Sequence, residues 1–472
     1  MKNNFPRCIK NTLGILLLMI FSQSIFAADY TTPKFNFLRF NEDWSSLKGI
    51  ERNELSPQHR LKYIPLSQDG NIWVSFGGHA RARLENFDGF AFGEGDAFND
   101  SFILYRFLFH ADWHFGENLR VFTEFKHADS TTRSLPGGAR NIDVDETEFQ
   151  QFFVDYTIPL NTADQSLTLR AGRQEYVFGR SRLVSPLPWA NALRQWDGIT
   201  AIYKRPNLNI TGFASRFVPV DQQGFNNANG DSLFFGVYAT QTLSSASGFD
   251  YYWLGIDRED QTFNGTFGDE TRHTFGARHW GKLTSSISYD LEAAYQTGEV
   301  GNESVSAFMF ASEVTQSWSN SPLTPKLSFG FDYASGDDDE GENVNTFNQL
   351  FPLGHAFFGF IDIVARQNII DFSSTFSLKP TRKSNFRIGA HYFARADSAD
   401  GLYNAGGGLV RAGDPNASRS IGTEIDLTFS YQLTSLLNGT VGVSRLFAGD
   451  FLADTGSDED IDFAFLQMQF NF

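Results

Sequence analysis

Cysteine is almost absent from this sequence of 472 residues, and its single cysteine, Cys8, lies near the amino terminus. Cys8 precedes the apolar run at 13–21. A lipid-anchoring cysteine would follow such a run, so lipidation is excluded. Because the rest of the chain has no thiol, disulfides and thiolate metal sites are excluded as well.

Long hydrophobic runs and an excess of basic residues are also missing. After residue 27 no segment holds 18 consecutive apolar residues, which excludes a transmembrane helix. Lys and Arg total 38 against 55 Asp and Glu, a net charge of −17, so a nucleic-acid partner is excluded. No GxSxG, HExxH, Walker or GxGxxG motif stands in the right context, and the nine histidines lack ligand spacing. We therefore expect neither a hydrolase nor a polysaccharide lyase, and no cofactor.

Aromatic residues are abundant instead, at 15% of the chain with 50 Phe. Many occur in segments with a period of two, the pattern of half-buried strands. One example places Ile103, Tyr105 and Phe107 opposite Arg106 and His110. About 18 segments follow this pattern, and their predicted starts are near residues 72, 103, 119, 147, 166, 192, 207, 231, 249, 271, 285, 303, 325, 368, 384, 420, 438 and 461.

The connections between these segments are alternately long and short, which is typical of bacterial outer-membrane barrels. The sequence therefore predicts an all-β, transmembrane antiparallel β-barrel of about 18 strands, of the outer-membrane porin type, over residues 72–472. The last segment, IDFAFLQMQFNF, ends at Phe472 and is typical of the signal that the barrel-assembly machinery reads.

The first residues form a secretory leader. Lys2, Arg7 and Lys10 precede the apolar run, and cleavage is predicted near Ala27. Residues 1–27 are thus a signal peptide, and the mature chain is expected in the outer membrane of a Gram-negative bacterium. Residues 28–71 are not clearly strand, and they form either an ordered, plug-like periplasmic lead or a flexible tail.

Arginine outnumbers lysine by 27 to 11, and its planar fork suits carboxylates. The alternation of side chains along the predicted strands shows which charged residues point inward. The inward acids come mostly from the last two thirds of the chain, and the inward bases come mostly from the first third. These charges either brace the barrel as ion pairs or form a track for an anion. The predicted pore-lining residues are Arg81, Arg83, Arg106, Arg120, Lys126, Arg170, Arg173, Arg194, Arg387 and Arg395.

One connection, at 336–362, is predicted to fold inward and narrow the pore. It is the longest connection, and its apolar run at 357–361 would not stand bare in water. Its candidate pore residues are Asp337, His355 and Asp362. The acidic stretches at 335–343 and 450–460 could hold Ca²⁺, or could be bridged to lipopolysaccharide by divalent ions.

Two blocks carry a family resemblance. LRAGRQEYVFGRSRLVSPLPWANALRQWDG, from Leu169, and DYASGDDDEGENVNTFNQLFPLGHAFFGFID, from Asp332, resemble signatures of the alginate export family of outer-membrane porins. The resemblance implies a monomeric, 18-stranded barrel in outer-membrane lipid that passes an anionic polysaccharide such as alginate, or its oligomers. It makes Arg170, Arg173 and Arg194 candidate pore arginines, although Arg173 needs a bulge near Gly172 to face inward. The alternative is a general or small-anion diffusion porin.

Overall fold

The computed structural model describes residues 35–95, 98–160, 162, 164–222, 224–263, 265–338 and 343–472. The predicted signal peptide and its cleavage point lie outside these residues. Among the helices described, none combines the length and the apolar character that a membrane-crossing helix needs.

Eighteen antiparallel strands form one closed barrel, which confirms the predicted fold class. They are β1 Ile72–Asp88, β2 Asp100–Phe115, β3 Leu119–Ser130, β4 Asp145–Pro159, β5 Ser166–Gln174, β6 Trp196–Arg205, β7 Leu208–Phe217, β8 Ser232–Ser244, β9 Ser247–Phe263, β10 Thr266–Lys282, β11 Ile287–Val300, β12 Glu303–Ser317, β13 Lys326–Ala334, β14 Ile369–Leu378, β15 Ser384–Ala394, β16 Ser420–Gln432, β17 Leu437–Ala448 and β18 Ile461–Asn471. Strand β1 pairs with β18 from His79↔Asn471 to Asp88↔Asp462 and closes the ring.

The alternation of side chains along each strand separates two surfaces. Tyr105, Phe107 and Phe109 point outward and are exposed, whereas Arg106 and Leu108 point inward and are buried. Backbone groups in a closed barrel pair with both neighbours, so no edge is left unpaired. The outer surface is therefore a largely apolar, aromatic-rich band, and most strand charges near the middle of the wall, such as Arg106, lie inside.

The two ends of the barrel differ. At one end, which we call the turn end, consecutive strands are joined by short turns, and Phe472 lies there. At the opposite loop end the connections are mostly long. The predicted alternation is incomplete, because β9 to β12 form two hairpins whose loop-end connections, at 264–265 and 301–302, are short.

Two predicted strand starts were wrong. The strand expected near Ala192 begins at Trp196, and the one expected near Thr271 begins at Thr266. Residues 175–195 are instead a long connection that enters the barrel, which we call inner loop A. The described residues of the connection at 335–368, which are 335–338 and 343–368, also enter the barrel, and we call them inner loop B. One short α-helix, α1 Asp450–Thr455, lies in the connection before β18.

The N-terminal segment, residues 35–71, packs inside the turn end. Phe40 contacts Phe122 and Phe153 on the inner faces of β3 and β4, with ring centroids 5.9 and 5.4 Å away. Arg39 donates hydrogen bonds to the carbonyls of Gly78 (3.0 Å) and Phe472 (2.8 Å). The described segment therefore lies against the inner wall formed by β1 to β5 and β18.

Candidate functional site

Inner loop A is held on one side by arginines of β1 and β2. Arg81 donates to the carbonyls of residues 188–190 at 2.9–3.2 Å, and Arg106 donates to the carbonyl of Ala190 at 2.8 Å. Arg83 donates to the carbonyl of Trp189 at 2.7 Å, and its guanidinium lies 3.8 Å from the centre of that indole. These three predicted pore arginines point inward, but they are buried, and each uses at least one guanidinium donor on the loop.

The same loop is held on the opposite side by acids of β11 and β12. Arg182 of the loop donates to Asp290 (2.6 Å) and Glu292 (2.8 Å), and Arg180 donates to Glu313 (2.9 Å). Inner loop A thus crosses the lumen from a basic wall to an acidic wall. The uneven distribution of charge along the sequence therefore fixes the loop, because the basic wall binds carbonyls of the loop and the acidic wall binds its arginines.

Inner loops A and B are joined by main-chain hydrogen bonds. The amide of Phe351 donates to the carbonyl of Leu183 (2.8 Å), and the amide of Ser185 donates to the carbonyl of Phe351 (2.9 Å). Phe351 also packs edge-on against Trp196, with ring centroids 5.3 Å apart. Together the loops form a cross-piece in the lumen whose aromatic side chains pack on the inner wall.

His355 strengthens the contact between the loops. Its ring stacks on Trp189 with centroids 3.7 Å apart and an angle of 11° between the planes. Its Nδ1 lies 3.0 Å from a carboxylate oxygen of Asp362 in the same loop. Because Arg83 also contacts this indole, Trp189 lies between a strand arginine and a loop histidine. His355 and Asp362, two of the three predicted pore-loop residues, therefore contact each other.

Inner loop B is anchored by acids of the barrel wall and by inner loop A. Arg366 is ion-paired with Asp332 of β13. Glu424 of β16 accepts hydrogen bonds from the amides of Phe360 (2.7 Å) and Ile361 (3.0 Å). Arg194, on inner loop A rather than on a strand, donates to the carbonyl of Pro352 at 2.7 Å. The structure thus places the inward-folding connection where the sequence predicted it, inside the barrel.

Near the turn end, predicted cations contact acids and the N-terminal segment. Arg170 is paired two-pronged with Asp155 (2.7 and 2.8 Å) and lies 4.4 Å from the ring centre of Phe40. Arg120 is paired with Asp112 (2.7 Å) and donates to the carbonyl of Phe40 (2.6 Å). These two arginines therefore link the barrel wall to the N-terminal segment.

The other predicted cations divide into two kinds. Lys126 is fully buried, 2.6 Å from Asp145. Arg395 is also buried and donates to carbonyls of the connection at 395–419, including that of Ser418 (2.8 Å), so it organises this connection. Arg387 is half-buried on β15, 5.5 Å from the ring centre of Phe360. Only Arg387 among these three keeps a part of its side chain open.

Arg173 does not line the lumen, and the prediction that it does is corrected. Its strand pairs in continuous register with both neighbours, so Gly172 produces no bulge in the ladder. Arg173 is opposite Phe152, an exposed residue of the outer face, and Asp197, with which it forms an ion pair at 2.7 Å. Paired residues share a face, so Arg173 lies on the outside near the loop end.

Asp337 is buried near the connection at 395–419, where its amide donates to a carboxylate oxygen of Asp400 at 3.1 Å. It therefore belongs to the loop end rather than to the contact between His355 and Asp362. Glu175, at the start of inner loop A, accepts a hydrogen bond from Gln150 at 2.8 Å. Burial, with Glu124 close by, raises the pKa of the Glu175 carboxyl to about 8, which favours its protonated form at neutral pH.

Sequence reasoning missed Trp189, Arg180, Arg182 and Arg366 as residues that fix the inner loops. The first three stand in the block from Leu169, so the signal was present, but no strand phase could reveal their partners on β1, β11 and β12. Among the described residues, no group of three or more His, Asp or Glu side chains is placed to hold a metal ion. Residues 339–342 of the first acidic stretch lie outside those residues, and Ca²⁺ in the acidic loops stays a prediction.

The sequence of the barrel matches a known family, Alginate export, over residues 72–465. The chain belongs to the Alginate export family. It is accordingly an outer-membrane channel, and in this membrane the turn end is periplasmic and the loop end extracellular. No curated protein sequence matches it significantly.

Solved structures of Pseudomonas aeruginosa porins share the fold of this Alginate export family member. OccK11 (OpdR) is 11% identical, with a TM-score of 0.54 over 84% of this chain and 96% of its own. OccK5 (OpdH) is 11% identical, with a TM-score of 0.55 over 84% and 98%. OccK2 (OpdF), solved in complex with glucuronate, is 11% identical, with a TM-score of 0.53 over 84% and 96%.

Proposed function

We propose that this channel passes an anionic polysaccharide, or oligomers of acidic sugars such as uronates. The observation that carries the proposal is the match to the Alginate export family across nearly the whole barrel. Alginate is a polymer of uronates, each with one carboxylate. A protein of the same fold was solved with glucuronate, an acidic sugar, which is consistent with this substrate class.

The charges that stay open to the lumen support the same class of substrate. Arg180 is 33% exposed, and Arg387 is half-buried on the inner wall. Each presents a permanent positive charge in a confined space, where the field is focused. The buried arginines serve a different purpose, since they fix the inner loops that narrow the route.

A second candidate is a general or small-anion diffusion porin. The observation that favours it is the pairing of most inward cations with carboxylates, as in Arg170 with Asp155 and Arg278 with Asp290. A wall of closed ion pairs presents little net charge to a long polyanion. The two candidates differ in whether an oligouronate enters and binds.

Single-channel recording in planar bilayers separates the two. Under the proposal, uronate oligomers interrupt the current at concentrations where neutral maltose oligomers of equal length leave it unchanged. Indifference to both sugars, with conduction of chloride, would contradict the proposal and support the small-anion porin.

We further infer that the segment predicted at 28–71, of which the structure describes residues 35–71, forms a plug at the periplasmic mouth, after a signal peptide removed near Ala27. The contacts of Phe40 and Arg39 with the inner wall support an ordered segment. Monomeric insertion into outer-membrane lipid beside lipopolysaccharide, guided by the barrel-assembly machinery through the strand that ends at Phe472, belongs to the same proposal.

A further inference from the structure

A cavity of about 460 Å³ lies on the inner wall in the periplasmic half of the barrel. Its lining comes from β10, β11 and β12, from the turn between β8 and β9, and from Arg180 of inner loop A. Its volume falls within the range of about 300–1,000 Å³ that small-molecule sites occupy. It lies beneath the cross-piece, where a molecule in the periplasmic vestibule meets inner loop A.

One aromatic side chain, Trp280, dominates the apolar part of this lining. Its indole lies against Gly248 of β9, where a Cβ atom would come within 2.5 Å of the ring. The guanidinium of Arg278 lies 4.5 Å from the centre of the same ring. A glycine at 248 therefore lets the indole lie close against the wall, with the guanidinium of Arg278 over its ring.

The charged part of the lining has three cations, Arg180, Arg278 and Lys282, and two acids, Asp290 and Glu313. Asp290 is held by Arg278 at 2.5 Å and by Arg182 at 2.6 Å. Both acids are therefore already engaged with arginines. Arg278 is shared between Asp290 and Asp250 (2.8 Å), so the open positive charge of the cavity comes from Lys282 at the rim, where its side chain is exposed.

The pair between Arg180 and Glu313 can open. It spans 2.9 Å, but Arg180 is 33% exposed and Glu313 is 36% exposed. Exposed ion pairs contribute only about 0–1 kcal/mol, so a ligand carboxylate can compete with Glu313 for Arg180. The arginine fork accepts a planar carboxylate through two hydrogen bonds. The hydroxyls of Ser288 and Thr315 line the same space and can bond sugar hydroxyls.

We propose that this cavity is a binding subsite for acidic sugar units, with a pyranose ring on Trp280 and its carboxylate on Arg180 and Lys282. The proposal rests on the proposed function and deepens it, because it names where a uronate first binds on the periplasmic side. Since Arg180 is part of inner loop A, a bound carboxylate competes with the contact that ties this loop to β12.

The test is equilibrium binding of a uronate disaccharide to the full-length protein in detergent micelles, by calorimetry. The comparison ligand is the same disaccharide with its carboxylates reduced to alcohols. Trp280→Ala should weaken uronate binding about tenfold, and Trp280→Phe, which keeps a ring, should weaken it less. Arg180→Gln and Lys282→Gln should weaken binding of the uronate but not that of the reduced sugar.

Trp318→Ala is the matched control, because Trp318 is exposed at the periplasmic end outside the cavity. It should bind like the unmodified protein, and heat-modified gel mobility reports whether each variant forms the barrel. Unchanged uronate affinity in folded Trp280→Ala or Arg180→Gln, or no binding by the unmodified protein, would overturn the subsite. Loss of binding in those variants supports it. Current block and flux by longer oligomers, measured in parallel, report on the proposed function independently.

Discussion

At the scale of single residues, the inward arginines act mainly as clamps on main-chain carbonyls. Arg81 and Arg106 are buried, and together they hold residues 188–190 from one wall. Removing a partner of a buried polar group costs about 1–3 kcal/mol for each group left unsatisfied. Their loss should therefore loosen inner loop A rather than simply remove two charges.

The double substitution Arg81→Ala with Arg106→Ala should raise single-channel conductance, because the released loop no longer narrows the lumen. Lysine at both positions should not restore the original conductance, since an ammonium is a compact charge that cannot reproduce the fork of donors. Arg216→Ala is the control, because Arg216 is exposed and outside these contacts. Unchanged conductance in the double variant would show that these arginines do not hold the constriction.

We expect Lys62 to make the docking of the N-terminal segment sensitive to pH. Its ammonium donates to the carbonyl of Phe76 at 2.6 Å, among Arg39, Glu42 and Asp112. Burial, and next the charge of Arg39, lower the pKa of Lys62 to about 7. A free lysine has a pKa near 10.4, so docking releases a proton between these values and tightens as pH rises through this window. Below about pH 7 this contribution has reached its minimum.

A spin label at Ser46→Cys, an exposed site on the segment, can follow this docking. The mobile fraction should grow as pH falls from about 9 to about 7, which lies within the window between the two pKa values of Lys62. The same label in a Lys62→Met background should show a flat response, because no proton is exchanged at that position. A pH response that persists in the Lys62→Met background would assign the effect to another group.

At the scale of elements, the strands could be predicted because side-chain alternation is a local property. The inner loops could be predicted only in part. The length and the apolar run of inner loop B predict that it folds inward. The alternation from Ala192 instead predicts a strand for the end of inner loop A. Its fixing contacts join residues about a hundred positions apart, such as Arg81 with Ala190, and no local pattern encodes them.

Arg173 illustrates a different limit of the sequence. The family resemblance placed it in the pore, while strand phase placed it outside, and the continuous register of β5 follows the phase. For Arg170 the two arguments agreed on an inward position, which the structure shows. Strand phase was thus the better guide to the face on which a side chain lies.

Deletion of residues 338–350 should increase conductance. This stretch includes Phe347, which is buried in the lumen, and Asn348, whose amide donates to Gln296 of β11 at 2.8 Å. Without it, the part of inner loop B that reaches inner loop A loses its support. Shortening the connection at 218–231 provides a control for loop removal in general. Equal conductance in the deletion and the unmodified protein would show that inner loop B does not constrict the channel.

At the scale of the whole molecule, the uneven distribution of bases and acids along the chain explains how the inner loops are held inside the barrel. Bases of β1 and β2 face acids of β11 and β12 across the lumen, and inner loop A connects the two walls, whereas Glu424 of β16 holds inner loop B. The narrowed lumen retains cations such as Arg180, which have an exposed side-chain fraction. A channel of this design is expected to bind acidic chains while it limits free diffusion.

Flux through proteoliposomes tests this central claim most directly. Vesicles that contain the purified protein and are loaded with uronate oligomers should release them faster than neutral maltose oligomers of the same length. The preference should shrink as salt rises, because exposed charges are screened over about 8 Å at physiological ionic strength. Equal or faster release of the neutral oligomers would contradict the account.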